Sequence, residues 1–307
     1  MSKILYLHCG THKTGTTAIQ QYLNNNSKLL EKNNLVYPPI GFTNHYPYNN
    51  HGIAWQLSDD PRLKFEKNNK SLDDFYKFLK NSDNNLIISS EDFQFFNIEI
   101  NAYEEFCRQI NTYNYKIKVI LYLRNQFDFF RGIYQILLML GVRFINSYQA
   151  FEIIKKNENR LELKENKLTI FFDYLDLIKN IKQKLSISDN DIICKSYDEN
   201  KQDLIKSFNQ IIGIDQEVLK TRPVNVGLPQ LTIELLETLN KNFYESKIDL
   251  KSAAIAQKNI LSNRIFMLGR KFQIKDLNIK DFFKNEFWQS NSKIEKLYNI
   301  EINKFLI

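Results

Sequence analysis

A chain of 307 residues with a net charge of +7 is long enough to bury a sizeable core. Hydrophobic residues make up 43% of it and charged residues 25%, as in soluble globular proteins, and no basic patch interleaved with aromatic residues indicates nucleic-acid binding. The longest apolar stretch, Ile133 to Val142, is too short to cross a bilayer of about 30 Å, so no transmembrane segment is predicted.

The three cysteines, Cys9, Cys107 and Cys194, are odd in number and far apart in the sequence. This pattern indicates reduced thiols and offers no metal-binding spacing. An apolar strand begins already at Lys3, so we expect no signal peptide. Together these features predict a cytoplasmic protein.

Short apolar runs alternate with helical patterns along the chain. Strands are predicted at 3–7, 35–39, 85–90, 118–123 and 191–197, and helices at 16–32, 72–79, 103–113, 128–140 and 174–185. Several strands are almost entirely apolar, which is typical of parallel strands covered on both faces. The alternation predicts an α/β fold with an open, mostly parallel five-stranded sheet flanked by helices. From about residue 215 the pattern is mainly helical, and we predict a single domain over 1–307.

The stretch GTHKTGTT, from Gly10 to Thr17, lies between the first strand and the first helix. A tight turn at this place directs the N–H groups of a helix N-terminus at one point, which makes an anion site. Gly10 and Gly15 allow the backbone to turn and approach the anion. Thr16 and Thr17 add hydroxyl groups, and Lys13 adds a positive charge. The stretch therefore predicts a phosphate-binding loop.

The loop departs from the pattern G-x-x-x-x-G-K-[ST] of nucleotide triphosphatases. Gly10 and Gly15 have the required spacing, but Thr16 stands where the lysine belongs, and Lys13 lies inside the loop. The missing lysine counts against ATP hydrolysis. A P-loop kinase or nucleotidase remains an alternative function, as does a non-catalytic module that binds a nucleotide or a glycan.

The sequence Lys13-Thr14-Gly15-Thr16-Thr17 resembles the 5′-phosphosulfate loop of sulfotransferases that use 3′-phosphoadenosine 5′-phosphosulfate (PAPS), and HCGTHKTGTTAIQQYL is most similar to the bacterial branch. The resemblance implies a P-loop-like sulfotransferase fold in which the loop amides bind the 5′-phosphate. It also implies that Lys13 stabilises the leaving phosphate. PAPS is then the donor, no metal is needed, and the expected acceptor is a carbohydrate or glycolipid hydroxyl.

A second family signature, R-N-P-x-D-x-x-x-S-x-Y, is matched in part by VILYLRNQFDFFRGIYQ. Arg124 follows the strand, and the resemblance implies that it binds the 3′-phosphate, for which a planar guanidinium is well suited. The serine position is occupied by Gly132, so one hydroxyl donor is missing. Arg131 or the N–H of Gly132 are the candidates to replace it.

Sulfuryl transfer to a hydroxyl needs a general base. Glu91 follows the predicted strand NLIISS and belongs to the same sheet edge as the loop, although Ser90, Glu91 and Asp92 are also residues that cap helices. His51 in NNHGIAWQL is the other candidate. The two assignments are left open.

The other histidines have weaker claims to a role. We expect His8, on the first strand, to be a core or edge residue, and His12, inside the loop, to line the donor site. His45 belongs to a polar, aromatic segment that suits either an acceptor contact or a surface loop. Arg222 and Asn225 resemble a bacterial-branch stretch near the donor, without an assigned role.

Overall fold

The computed structural model describes residues 2–44, 47–66, 70–94, 102–163, 168–215 and 227–306. Its strands are Lys3–His8 (β1), Leu35–Val36 (β2), Asn85–Ser89 (β3), Tyr115–Leu123 (β4), Arg160–Leu163 (β5), Leu168–Phe171 (β6) and Ile192–Ser196 (β7). Five of them form a sheet in the order β2-β3-β1-β4-β7, and all of its pairings are parallel. The predicted open parallel sheet is thus confirmed.

Helices connect the strands and form the C-terminal part of the chain. They are Thr16–Asn25 (α1), Ser27–Lys32 (α2), His51–Ser58 (α3), Ser71–Asn81 (α4), Ala102–Thr112 (α5), Gln126–Met139 (α6), Ser147–Lys156 (α7), Tyr174–Leu185 (α8), Tyr197–Asn200 (α9), Leu204–Ile212 (α10), Gln230–Tyr244 (α11), Leu250–Ser262 (α12), Leu277–Glu286 (α13) and Trp288–Tyr298 (α14). No helix in the described ranges is both long and apolar enough to span a bilayer.

Both faces of the sheet are covered. Leu5 and Leu7 of β1 belong to a buried cluster with side chains of α3, α4, α5 and α8. Tyr6, between them, belongs to a second cluster with side chains of α1 and α10. Because neighbouring residues of a strand point to opposite faces, this double covering explains the almost continuous apolar runs. Helices α6, α7, α11 and α13 contribute to a third buried cluster.

Several predicted element boundaries differ from the structure for local reasons. The second strand ends at Val36 because prolines 38 and 39 follow, and proline has no N–H for a sheet hydrogen bond. The helix predicted over 16–32 is divided at Asn26, whose Nδ2 donates to the carbonyl oxygen of Tyr22 over 2.8 Å. The antiparallel pair β5–β6 was not predicted.

The sheet brings several connecting segments to one edge. β1 lies between β3 and β4, with His8 paired to Ser89 on one side and to Ile120 on the other. Leu123 of β4 pairs with Ser196 of β7. Because all these strands are parallel, the segments that follow their carboxyl ends meet at this edge, where open α/β sheets bind ligands.

Candidate active site

The loop between β1 and α1 turns through residues with left-handed backbone conformations. Gly10, Lys13 and Gly15 have φ values of 34°, 66° and 79°. No described side chain caps α1, and its first turn contains no acidic residue. The N–H groups at the start of α1 therefore point to the loop without a competing carboxylate, as an anion site requires.

The threonines of the loop have different surroundings. The hydroxyl of Thr14 donates to the carbonyl oxygen of Thr11 over 2.5 Å, and the Thr11 hydroxyl donates to the carbonyl oxygen of Tyr122 over 2.9 Å. The first bond closes the loop on itself, and the second fixes it to β4. Thr16 is buried and Thr17 is half-buried at the start of α1. The Thr14 hydroxyl thus stabilises the loop. The group of Thr14 that can bind an anion is its backbone N–H.

Lys13 is half-buried at the centre of the edge. The pKa of Lys13 is below the ordinary value for lysine. Burial is the main cause, and the charge of Arg124 adds to it, whereas the charge of Glu91 raises the pKa. The ammonium group is therefore close enough to both residues to interact with their charges. Its loop lies between the segment after β3, which carries Glu91, and the segment after β4, which carries Arg124.

Gly132 gives the Lys13 side chain its space. A Cβ atom at position 132 would lie 2.7 Å from Cγ of Lys13 and 3.2 Å from its Cβ. The lysine stem therefore packs directly against α6, where any larger residue would push it away. Of the two candidates to replace the missing serine, Arg131 is held by Asp128 at 2.7 Å and by Gln273 at 2.9 Å.

Arg124 follows β4, and its side chain is mostly buried. Its guanidinium group lies 3.4 Å from Asp128, 3.9 Å from Asp198 and 5.4 Å from the centre of the Tyr197 ring. The Tyr174 hydroxyl donates to its carbonyl oxygen over 2.6 Å and fixes the backbone. The buried Nε of Arg124 forms no hydrogen bond within the described part of the chain. This donor is available to an anionic group such as a phosphate.

Glu91 and His51, the two candidate bases, are brought together although forty residues separate them. Nε2 of His51 lies 4.0 Å from Oε2 of Glu91. Nδ1 of His51 lies 2.6 Å from the Ser90 hydroxyl, and Gln20 of α1 donates to Glu91 over 3.0 Å. Burial would raise the pKa of Glu91, but the charges of His51 and His12 outweigh it and keep this pKa below its ordinary value. The lowered pKa favours the carboxylate form of Glu91, which is the form that can accept a proton.

Asp92 is the centre of a buried network behind these residues. It accepts hydrogen bonds from Nε1 of Trp55 at 2.6 Å and from Arg62 at 2.9 Å. His12 lies 3.5 Å from Asp92 and His51 lies 3.8 Å from it. Burial raises the pKa of Asp92, but Arg62 and the two histidines lower it to about 2. Asp92 thus places a negative charge beside both imidazole rings.

His8 is a core residue, as expected. It is fully buried, and its Nδ1 lies 2.7 Å from the Ser89 hydroxyl. Its ring packs edge-on against Tyr122 and Phe208. Burial lowers the pKa of His8 to about 4, so the ring is neutral at physiological pH.

His45, Arg222 and Asn225 lie outside the described residues. Within the described ranges, no group of three or more histidine, cysteine or acidic side chains is arranged to hold a metal ion.

The residues that surround the candidate base Glu91 and its neighbour Asp92 were not predicted from the sequence. Trp55 and Arg62 belong to segments that approach Asp92 only in the folded chain, and no spacing relates them to it. Gln20, four residues after Thr16 and thus on the same side of α1, was the more accessible signal. Asp198, which accepts from Asn125 over 3.2 Å, follows the last strand at the same edge as Arg124.

Comparisons with known proteins support the fold. No protein-family model matches the chain, and no curated protein matches it. A sulfotransferase from Alicyclobacillus acidocaldarius has a similar solved structure, with a TM-score of 0.55 and 10% identity, over 99% of this chain and 99% of that one. At this identity the likeness concerns architecture alone. The chain thus has a sulfotransferase-like α/β fold, with its candidate site at the carboxyl edge of the sheet.

Proposed function

We propose that the protein is a sulfotransferase that moves a sulfuryl group from PAPS to an acceptor hydroxyl, with a carbohydrate or glycolipid as the acceptor class. The observation that carries the proposal is the convergence of Lys13, Arg124 and Glu91 on one sheet edge, beside a loop with uncapped N–H groups. Two cations suit the two phosphates of the donor, and a carboxylate suits the proton of the acceptor.

In this scheme the donor lies along the β1 and β4 side of the edge. The N–H groups of residues 14–17 bind the 5′-phosphate, and His12 lines the loop. Arg124 binds the 3′-phosphate, and its Nε, which forms no hydrogen bond with any described residue, is a suitable donor. As the bond from sulfur to the bridging oxygen breaks, negative charge builds on the 5′-phosphate and is stabilised by Lys13. The product is adenosine 3′,5′-bisphosphate.

The acceptor lies on the β3 side. Its hydroxyl oxygen attacks sulfur, and its proton passes to the carboxylate of Glu91, which lies 4.0 Å from His51. Gln20 and His51 hold the carboxylate in place, and Asp92 holds His51 through its nearby charge. No step requires a metal ion.

Ligand-induced thermal shift tests the donor class. Adenosine 3′,5′-bisphosphate is expected to raise the melting temperature, and ATP with Mg²⁺ is expected to have little effect, because Thr16 replaces the lysine that binds β- and γ-phosphates. The reverse result would favour a kinase or nucleotidase. Transfer of labelled sulfate from PAPS to a glycan panel then tests turnover, since a non-catalytic module would bind the donor without transferring it.

A further inference from the structure

Helix α12 is mostly exposed and carries large apolar side chains on its exposed surface. Ala253 is its buried residue, whereas Leu250 and Ile255 are 63% and 54% exposed. Ile260 and Leu261 of the same helix pack against the buried core. The apolar side chains that stay exposed are candidates for contact with an external partner.

Neighbouring segments extend this apolar surface. The turn after α12 exposes Ile265 and Leu268 to 71% and 70%, and the end of α6 exposes Leu140 to 67%. Gln257 of α12 joins these segments, because its Nε2 donates to the carbonyl oxygens of residues 138 and 139 over 3.1 and 3.0 Å. We call residues 250–271, together with residues 139 and 140, the α12 surface.

The charged side chains of the α12 surface are all basic. Between Leu250 and Lys271 the sequence contains no acidic residue and five exposed basic ones, at positions 251, 258, 264, 270 and 271. Asp249, just before α12, is engaged as its cap and accepts from the N–H of Ser252 over 2.9 Å. Exposed apolar side chains surrounded by basic ones are complementary to an anionic lipid bilayer.

We infer that the α12 surface docks the protein on an anionic membrane. Ile255, Ile265 and Leu268 enter the boundary between headgroups and acyl chains, and the basic side chains contact lipid phosphates. A second copy of the chain is a poorer partner, because a two-fold contact would place five cations against five others. The surface lies at the far end of α6, about 10 Å along the helix from Gly132, where α6 contacts Lys13.

Flotation with lipid vesicles tests this inference. Wild-type protein is expected to float with vesicles of phosphatidylcholine and phosphatidylglycerol at low salt, and not with phosphatidylcholine alone. Each basic residue near an anionic surface strengthens binding about fivefold, so Lys251→Gln with Lys258→Gln should weaken it more than about tenfold. Ile265→Ser with Leu268→Ser should weaken it independently, because it removes the apolar part of the contact.

The matched control is Lys28→Gln with Lys32→Gln on α2, which removes the same charge from exposed positions outside the α12 surface. It should bind vesicles nearly as well as wild type, and unchanged circular dichroism verifies that all variants are folded. The inference is overturned if wild type does not bind anionic vesicles, if the control loses binding equally, or if the serine substitutions leave binding intact. It is also overturned if these substitutions instead dissociate a dimer.

Discussion

Replacing Gly132 by alanine or serine is the most direct test of the site geometry. The new Cβ would lie 2.7 Å from Cγ of Lys13, whereas nonbonded carbons are about 3.5–4.0 Å apart. The lysine stem must therefore retreat by about 1 Å. A displacement of this size at a reacting centre costs about 100-fold in rate, or about 2.7 kcal/mol of activation free energy. We expect Gly132→Ala to lower kcat for sulfuryl transfer by this factor.

The serine variant separates two interpretations of the same position. If the sequence departure at Gly132 merely removes a hydroxyl donor, Gly132→Ser should improve donor binding. The contact with Lys13 predicts a loss of kcat instead, as large as that of the alanine variant. A serine variant with wild-type or higher kcat would refute the packing of Lys13 against α6.

Stability measurements supply the control. Overpacking costs about 1–3 kcal/mol, and alanine gains about 1 kcal/mol over glycine inside a helix, so the free energy of unfolding should fall by about 0–2 kcal/mol. In the background of Lys13→Ala the contact with Cγ at 2.7 Å is gone and the one with Cβ at 3.2 Å remains, so Gly132→Ala should destabilise the protein less than it does in the wild type. The double-mutant cycle measured by denaturant unfolding isolates this contact.

Four further outcomes are expected. Lys13→Ala should lower sulfuryl transfer by at least about 100-fold with an unchanged melting temperature. Arg124→Ala should weaken binding of adenosine 3′,5′-bisphosphate by about 1.5–3 kcal/mol in calorimetry. Glu91→Gln should lower kcat by about 100-fold or more, and His51→Asn should lower it by less. If Glu91→Gln had the same kcat as the wild type, the carboxylate would be excluded as the base. Because burial lowers the pKa of His8 to about 4 from 6.5, the unfolded chain binds more protons between these values, so stability should be lost as pH falls through this window. Thermal melts of His8→Asn should depend less on pH there.

The parts of the site that depend on local sequence were predictable. The loop from Gly10 to Thr17 combines a strand, glycines and a helix start within one short segment, so its shape follows from spacing. Arg124 and Glu91 were placed correctly because each follows an apolar strand, and parallel strands end at a common edge.

The surroundings of the candidate base were not predictable in the same way. Ser90 and His51, or Asp92 and Trp55, meet through the packing of α3 against the segment after β3. No periodicity connects them. Gly132 is a related case. The sequence shows only that the serine hydroxyl is missing. The structure shows that a larger residue at 132 would collide with the side chain of Lys13, which belongs to the loop after β1.

The order of the strands determines how charge is arranged at the site. β1 lies between β3 and β4, so Lys13 has the acidic residues Glu91 and Asp92 on one side and the cation Arg124 on the other. Burial and Arg124 disfavour the protonated ammonium, and Glu91 opposes them. Under the proposed function, the same carboxylate that accepts the proton of the acceptor also helps to keep the lysine charged for the leaving phosphate. Because one group serves both sides, loss of Glu91 should affect donor and acceptor together, which distinguishes it from a residue that only binds the acceptor.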